Sequence, residues 1–174
     1  MFYLAYPFRS SGKLFLANSN NDLIIVDSSS GEFEKISAET VPKSYIRHVC
    51  YHHESGIFAM ASNEKDIQLW DLKNMTLLSS IKSFKRAMCM EFSKNGKFLF
   101  LGDRAGDLYR YEIGTDLKLI EPPVLLVGHV SILTDFLLVN DESLLITCDR
   151  DEKIRIQKYP ATYDIEHFCL EHKE

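Results

Sequence analysis

Short apolar runs separated by polar turns recur along the chain, and no long stretch shows the apolar spacing of a helix. Ile57-Phe58-Ala59-Met60-Ala61 follows the turn Glu54-Ser55-Gly56. Phe98-Leu99-Phe100-Leu101 follows Ser93-Lys94-Asn95-Gly96-Lys97, whose Asn-Gly pair is a hairpin signal. Further on, Gly128-His129-Val130 opens a unit with an apolar stretch from Ile132 to Val139 and a turn, Asn140-Asp141-Glu142-Ser143. A second strand follows, Leu144-Leu145-Ile146-Thr147. The charged turn Asp149-Arg150-Asp151-Glu152-Lys153 leads to a third, Ile154-Arg155-Ile156. Pro122-Pro123 reads as the linker into this unit. The pattern predicts one all-β domain over residues 1–174.

The ending of that unit occurs three times before it. Asn63-Glu64-Lys65-Asp66-Ile67-Gln68-Leu69-Trp70-Asp71 closes on Trp-Asp, and Arg104-Ala105-Gly106-Asp107-Leu108-Tyr109-Arg110-Tyr111 has the same shape with Tyr for Trp. Asn20-Asn21-Asp22-Leu23-Ile24-Ile25-Val26-Asp27 is a weaker first copy. Aligning on Asp22, Asp66, Asp107 and Lys153 gives steps of 44, 41 and 46 residues. A WD40 repeat runs ~40–45 residues. The expected architecture is therefore a WD40-type β-propeller with about four blades, near 1–36, 45–82, 86–120 and 125–170. Propellers close with about 4–8 blades, and Glu171-His172 resembles the opening of a further one. The chain is expected to be a fragment of a seven-bladed propeller, the alternative being an arc closed by another chain.

Composition narrows the function. The 174 residues are 45% hydrophobic and carry 25 acidic against 20 basic side chains, for a net charge of −5. That balance argues against a chain that grips nucleic acid by itself. No apolar run approaches the ~20 residues of a membrane-spanning helix, and the N-terminus lacks the plan of a signal peptide. Cys50, Cys89, Cys148 and Cys169 form no CxxC pair, and a reducing intracellular compartment is expected.

Candidate chemistry is sparse. His48, His52 and His53, or His167, Cys169 and His172, are incomplete as zinc sets. There is no Gly-x-Ser-x-Gly elbow, no GxGxxG and no GxxxxGK[ST] loop, so neither catalysis nor a nucleotide or methyl-donor cofactor is expected. His129, Thr147 and Asp151 are candidates for the buried hydrogen-bond network of a WD blade, with Gln157 where the Trp would stand. The second repeat offers Ser62 and Trp70, with Glu64 at its turn. The turn from Asp149 to Arg155 has two readings. It is a solvated turn whose charges contribute little, or an interface where they set register and on-rate. Arg155, between Ile154 and Ile156, carries a planar fork suited to a carboxylate.

Gly128-His129-Val130-Ser131, the segment Asp149 to Ile156, and Ile165-Glu166-His167-Phe168-Cys169-Leu170-Glu171-His172-Lys173-Glu174 resemble the WD-repeat non-catalytic subunit of the tRNA (guanine-N7)-methyltransferase. Gly102-Asp103-Arg104-Ala105-Gly106-Asp107-Leu108-Tyr109 resembles that family's preceding blade. The likeness is specific over residues 102–174 and generic to WD repeats before them. Glu171 departs from the family's usual Gly. The resemblance implies a non-catalytic propeller that binds and stabilises a separate catalytic chain in a heterodimer. That second chain holds S-adenosylmethionine and makes N7-methylguanosine in tRNA, which this chain meets only through the complex. It implies that Arg155 and Asp151 face the catalytic chain. Lys153, Arg150 and Arg104 complete the partner-binding candidates. It also implies a nuclear location, with the cytoplasm as the alternative, and no membrane partner. The competing reading is a generic WD-repeat scaffold of another complex.

Overall fold

The computed structural model describes residues 2–8, 11–18, 22–36 and 41–170. Asn20, Asn21 and the segment 171–174, which carry part of the first repeat and the expected opening of a further blade, lie outside the described residues. Among the described residues there is no helix. Sixteen strands among the described residues form four four-stranded sheets, each strand pairing with its sequence neighbour. The first sheet is β1 (Phe2–Phe8), β2 (Lys13–Asn18), β3 (Leu23–Asp27) and β4 (Phe33–Lys35). The second is β5 (Ile46–His52), β6 (Ile57–Ser62), β7 (Asp66–Asp71) and β8 (Thr76–Lys82). The third is β9 (Ala87–Phe92), β10 (Phe98–Asp103), β11 (Asp107–Ile113) and β12 (Leu119–Gly128). The fourth is β13 (Leu133–Val139), β14 (Leu144–Asp149), β15 (Ile154–Lys158) and β16 (Ile165–Cys169). Four antiparallel meanders of this length are the blades of a WD40 propeller.

The chain divides into two compact units, one holding the first two sheets together with residues 117–119 and the other the rest of the last two sheets. The first unit is organised around aromatic rings. Phe8 lies 4.9 Å from Tyr51 and 5.3 Å from Phe58, and Phe58 stacks on Trp70 at 6.2 Å. All six residues of β6 are buried, which is why Ile57-Phe58-Ala59-Met60-Ala61 reads as an unbroken apolar run. Trp70 is 2% exposed, and its indole donates to Gln68 Oε1 at 3.1 Å. Ser62 is spent elsewhere, on the turn that ends at Asp66.

The second unit packs Phe100, Leu108, Leu133, Phe136 and Leu145 into one cluster. Burying each such side chain stabilises by about 1.5–3 kcal/mol. Gly102 is required there, because a Cβ would collide with Leu133 and the Cys89 sulfur. Pro122 and Pro123 do not form a linker as expected. They lie inside β12, which is the outer strand of its sheet. An edge strand leaves N–H groups unpaired toward solvent, so a residue without one is tolerated there.

One irregularity recurs in all four sheets. The pairing of first and second strands skips a residue at Tyr3, Arg47, Met88 and Thr134. These bulges are spaced by the same 44, 41 and 46 residues as the sequence repeat. The register deduced from side-chain pattern is thus also the register of the backbone.

Candidate partner-binding site

In every sheet the residue that ends the second strand caps the turn into the third. Asn18 Oδ1 accepts from Asp22 N at 2.9 Å. Ser62 Oγ accepts from Glu64 N at 3.2 Å and Asp66 N at 3.0 Å. Asp103 Oδ1 accepts from Ala105 N at 2.7 Å and Asp107 N at 3.1 Å. Asp149 Oδ1 accepts from Asp151 N at 3.0 Å and Lys153 N at 3.2 Å. A short acceptor that binds the backbone N–H groups two and four residues on fixes a tight turn. Asp22, Asp66, Asp107 and Lys153, the positions that align the repeats, are the residues whose N–H is captured.

The fourth sheet adds a buried network to this cap. His129 Nδ1 is 2.9 Å from Asp149 Oδ2, and His129 Nε2 is 2.8 Å from Thr147 Oγ1. The acid of this network is Asp149, not Asp151 as expected. Thr147 and Asp149 are two apart on β14 and so face the same side as His129. Asp151 lies past the strand end, exposed, where it accepts from the Ser131 hydroxyl at 2.9 Å. Burial holds His129 below its ordinary pKa, against the pull of Asp149. Burial also works to raise the Asp149 carboxyl, but the His129 hydrogen bond and the turn N–H groups outweigh it and hold it low. An ionised Asp149 can only accept, so the neutral imidazole donates from Nδ1 and accepts the Thr147 hydroxyl at Nε2. Gln157 sits where the Trp would stand. Its amide donates to the Thr162 carbonyl, and its Oε1 is buried without a partner.

The third sheet carries the cap without the network. Asp103 is fully buried, and its Oδ2 has no hydrogen-bond partner. Burial pushes its carboxyl above the usual range, against the turn N–H groups that favour ionisation.

The expected partner-binding residues cluster around the two caps of this unit, with different degrees of freedom. Arg104 and Arg150 occupy the same place, directly after Asp103 and Asp149, and both are exposed. Their backbone N–H groups donate to Arg86 O and Ile132 O, each at 2.9 Å. The Arg150 guanidinium lies 3.6 Å from Asp151, a solvent-exposed pair. Lys153 is half-buried, and its N–H belongs to the Asp149 cap. Arg155 is engaged within its own sheet. Its Nη1 donates to the Gly128 carbonyl at 3.0 Å, and its guanidinium lies 5.5 Å from the centre of the Phe168 ring across the β15–β16 pair. Its Nε is buried without a partner.

The segment between the caps is tied down at each end. His129 N donates to Gly106 O at 2.9 Å, and Gly106 has a φ of +102°. A Cβ at Gly106 would strike the carbonyls of His129 and Ser131, so only glycine lets that backbone lie against the turn. Among the described residues no group of three or more His, Cys, Asp or Glu side chains could hold a metal ion. An open depression of about 640 Å³ beside Lys13, Asp27 and Phe33 does not involve these turns.

Comparison with known proteins falls on the same region. Residues 120–174 match the tRNA methyltransferase TRM82 WD40 domain. The chain is 34% identical over 142 residues to the tRNA (guanine-N(7)-)-methyltransferase non-catalytic subunit wuho of Drosophila yakuba, covering 79% of this chain and 33% of that protein. The protein of the same name from Aedes aegypti is 36% identical over 132 residues, covering 71% and 32%. That from Drosophila melanogaster is 33% identical over 133 residues, covering 74% and 31%. The chain thus spans about a third of the length of the curated relatives it matches. The resemblance seen in its sequence is borne out, and it reaches well beyond residues 102–174.

Proposed function

We propose that this chain serves as a non-catalytic WD-repeat subunit of a tRNA (guanine-N7)-methyltransferase, binding and stabilising a separate catalytic chain. The observation that carries the reading is the similarity, over most of its length, to proteins named as that subunit. The site agrees with a binding role. The turns at Arg104 and Arg150 are held by carboxylate caps, so the backbone there is already ordered and binding has only the side chains to fix. In this reading Arg104, Arg150, Asp151, Lys153 and Arg155 meet the catalytic chain. Arg155, besides facing the partner, fixes β16 and the Gly128 carbonyl. The methyl donor is bound by the partner, tRNA is met only through the complex, and the complex resides in the nucleus.

The test is co-purification of this chain with a tRNA (guanine-N7)-methyltransferase catalytic subunit, followed by methyl transfer to tRNA with and without it. Recovery as a one-to-one complex with raised methylation is expected, and calorimetry of this chain alone should show no saturable S-adenosylmethionine binding. Recovery of no catalytic subunit at micromolar concentration would return the chain to the class of general WD-repeat scaffolds.

A further inference from the structure

Val130 is 93% exposed. Lone apolar side chains on a surface are ordinary, but this one is displayed by an unusually well-fixed backbone. The residue before it is locked through the imidazole of His129 and through its N–H to Gly106 O. The residue after it donates its hydroxyl to Asp151, and Ile132 O accepts from Arg150 N. The same place in the preceding repeat shows the same choice. There Ser83 N donates to Lys65 O at 2.8 Å, as His129 N does to Gly106 O, and the next residue is Phe84, 56% exposed. Two repeats each set a large apolar side chain in water at one position of one loop.

The charges around Val130 indicate what it meets. The turns on either side of its loop carry Arg104 and Arg150, and Arg104 is bonded through its N–H to the segment holding Lys85 and Arg86. The nearby acids are Asp151, already beside Arg150, Asp107, which lies against Gly128 and accepts from the Tyr109 hydroxyl, and Glu152. This cationic loop end stands out on a chain whose net charge is −5. An apolar tip among arginines, with no exposed aromatic in its own loop on which a base could stack, suits a protein surface rather than a nucleic acid.

We infer that Val130 is the apolar anchor of the interface proposed above, entering a recess on the catalytic chain that is bordered by carboxylates facing Arg104 and Arg150. This rests on that reading of function. His129 is then a positioning residue, because it fixes the backbone that presents Val130.

The experiment is a titration of the catalytic subunit against the chain and its Val130→Asp, Val130→Ser and Arg104→Glu variants, with thermal unfolding of each. Val130→Asp should weaken binding about tenfold or more, as expected for an anchor at the centre of an interface, with an unfolding midpoint unchanged from the parent. Val130→Ser should weaken it less, and serves in its place if the Asp variant does not fold. Arg104→Glu should weaken binding most at low salt. Binding by Val130→Asp and Val130→Ser at the parental affinity would overturn the inference while leaving the proposed function standing. Absence of binding by the parent chain would sink both. A second titration uses unfractionated tRNA and the chain alone: binding that is lost in Arg104→Glu but kept in Val130→Asp would assign the loop to nucleic acid and overturn the inference.

Discussion

Replacing Asp149 by alanine separates the network described for the fourth sheet from the one expected around Asp151. The side chain ends three interactions at once: the bond to His129 and the captures of Asp151 N and Lys153 N. The His129 partner is buried, so losing a charge-assisted bond there costs roughly 1.5–3 kcal/mol. The two N–H groups belong to a turn near water, and each loss costs nearer 0.5–1 kcal/mol. A loss of about 3–4 kcal/mol is expected for Asp149→Ala, a large share of the ~5–15 kcal/mol by which domains are stable. Asp151→Ala loses one hydroxyl bond and an exposed pair at 3.6 Å, and should cost about 1 kcal/mol or less. Trp70 fluorescence is the wrong readout, because that ring belongs to the other compact unit. Urea unfolding followed by hydrogen exchange of residues 144–158 reports on the affected sheet. Equal losses for the two variants, or a larger one for Asp151→Ala, would refute the assignment of Asp149.

Acidification offers a second check. His129 is held below its ordinary value of 6.5 and Asp149 is held low, so the stability they supply is present at neutral pH and is lost as pH falls through their folded values. A His129→Leu variant should start less stable and lose less on acidification, read from urea midpoints across that range. Asp103 behaves oppositely: its carboxyl is raised, so its contribution is fullest below the ordinary aspartate range and declines as pH rises through the folded value. Asp103→Asn should flatten that decline in the same titration. Gly106→Ala should cost about 2 kcal/mol or more, since it forces a Cβ into two backbone carbonyls at a left-handed φ, and a midpoint within error of the parent would contradict that fit.

The repeat was legible because its signal is redundant. Asp22, Asp66, Asp107 and Lys153 keep a turn position in common, and the strands around them alternate or run apolar as buried strands do. What the alignment could not show is that the residue four places earlier is the cap. Asn, Ser and Asp share a capping oxygen but not a letter, so Asn18, Ser62, Asp103 and Asp149 do not look alike in sequence. Choosing between Asp149 and Asp151 was beyond pattern reading for a related reason: they stand two apart, and only the end of β14 separates the buried one from the exposed one. Pro122-Pro123 carried a strong local signal for a break, and the position of β12 at the sheet edge overrode it. The contact of the Arg155 guanidinium with Phe168 was not legible either, because it depends on the register of β16 against β15.

The fit of Gly106 under residues 129–131 bears on how such a chain can be lengthened or cut. The opening loop of the fourth sheet closes over the turn of the third, so the joint between these two neighbours lies within a loop and not at a strand end. A duplication that copied one sheet from first strand to last would leave the new turn uncovered and its glycine without the carbonyls it accommodates. Copying from one turn to the next would carry the closure along intact. Insertions for labelling or circular permutation should accordingly spare residues 104–106 and 129–132.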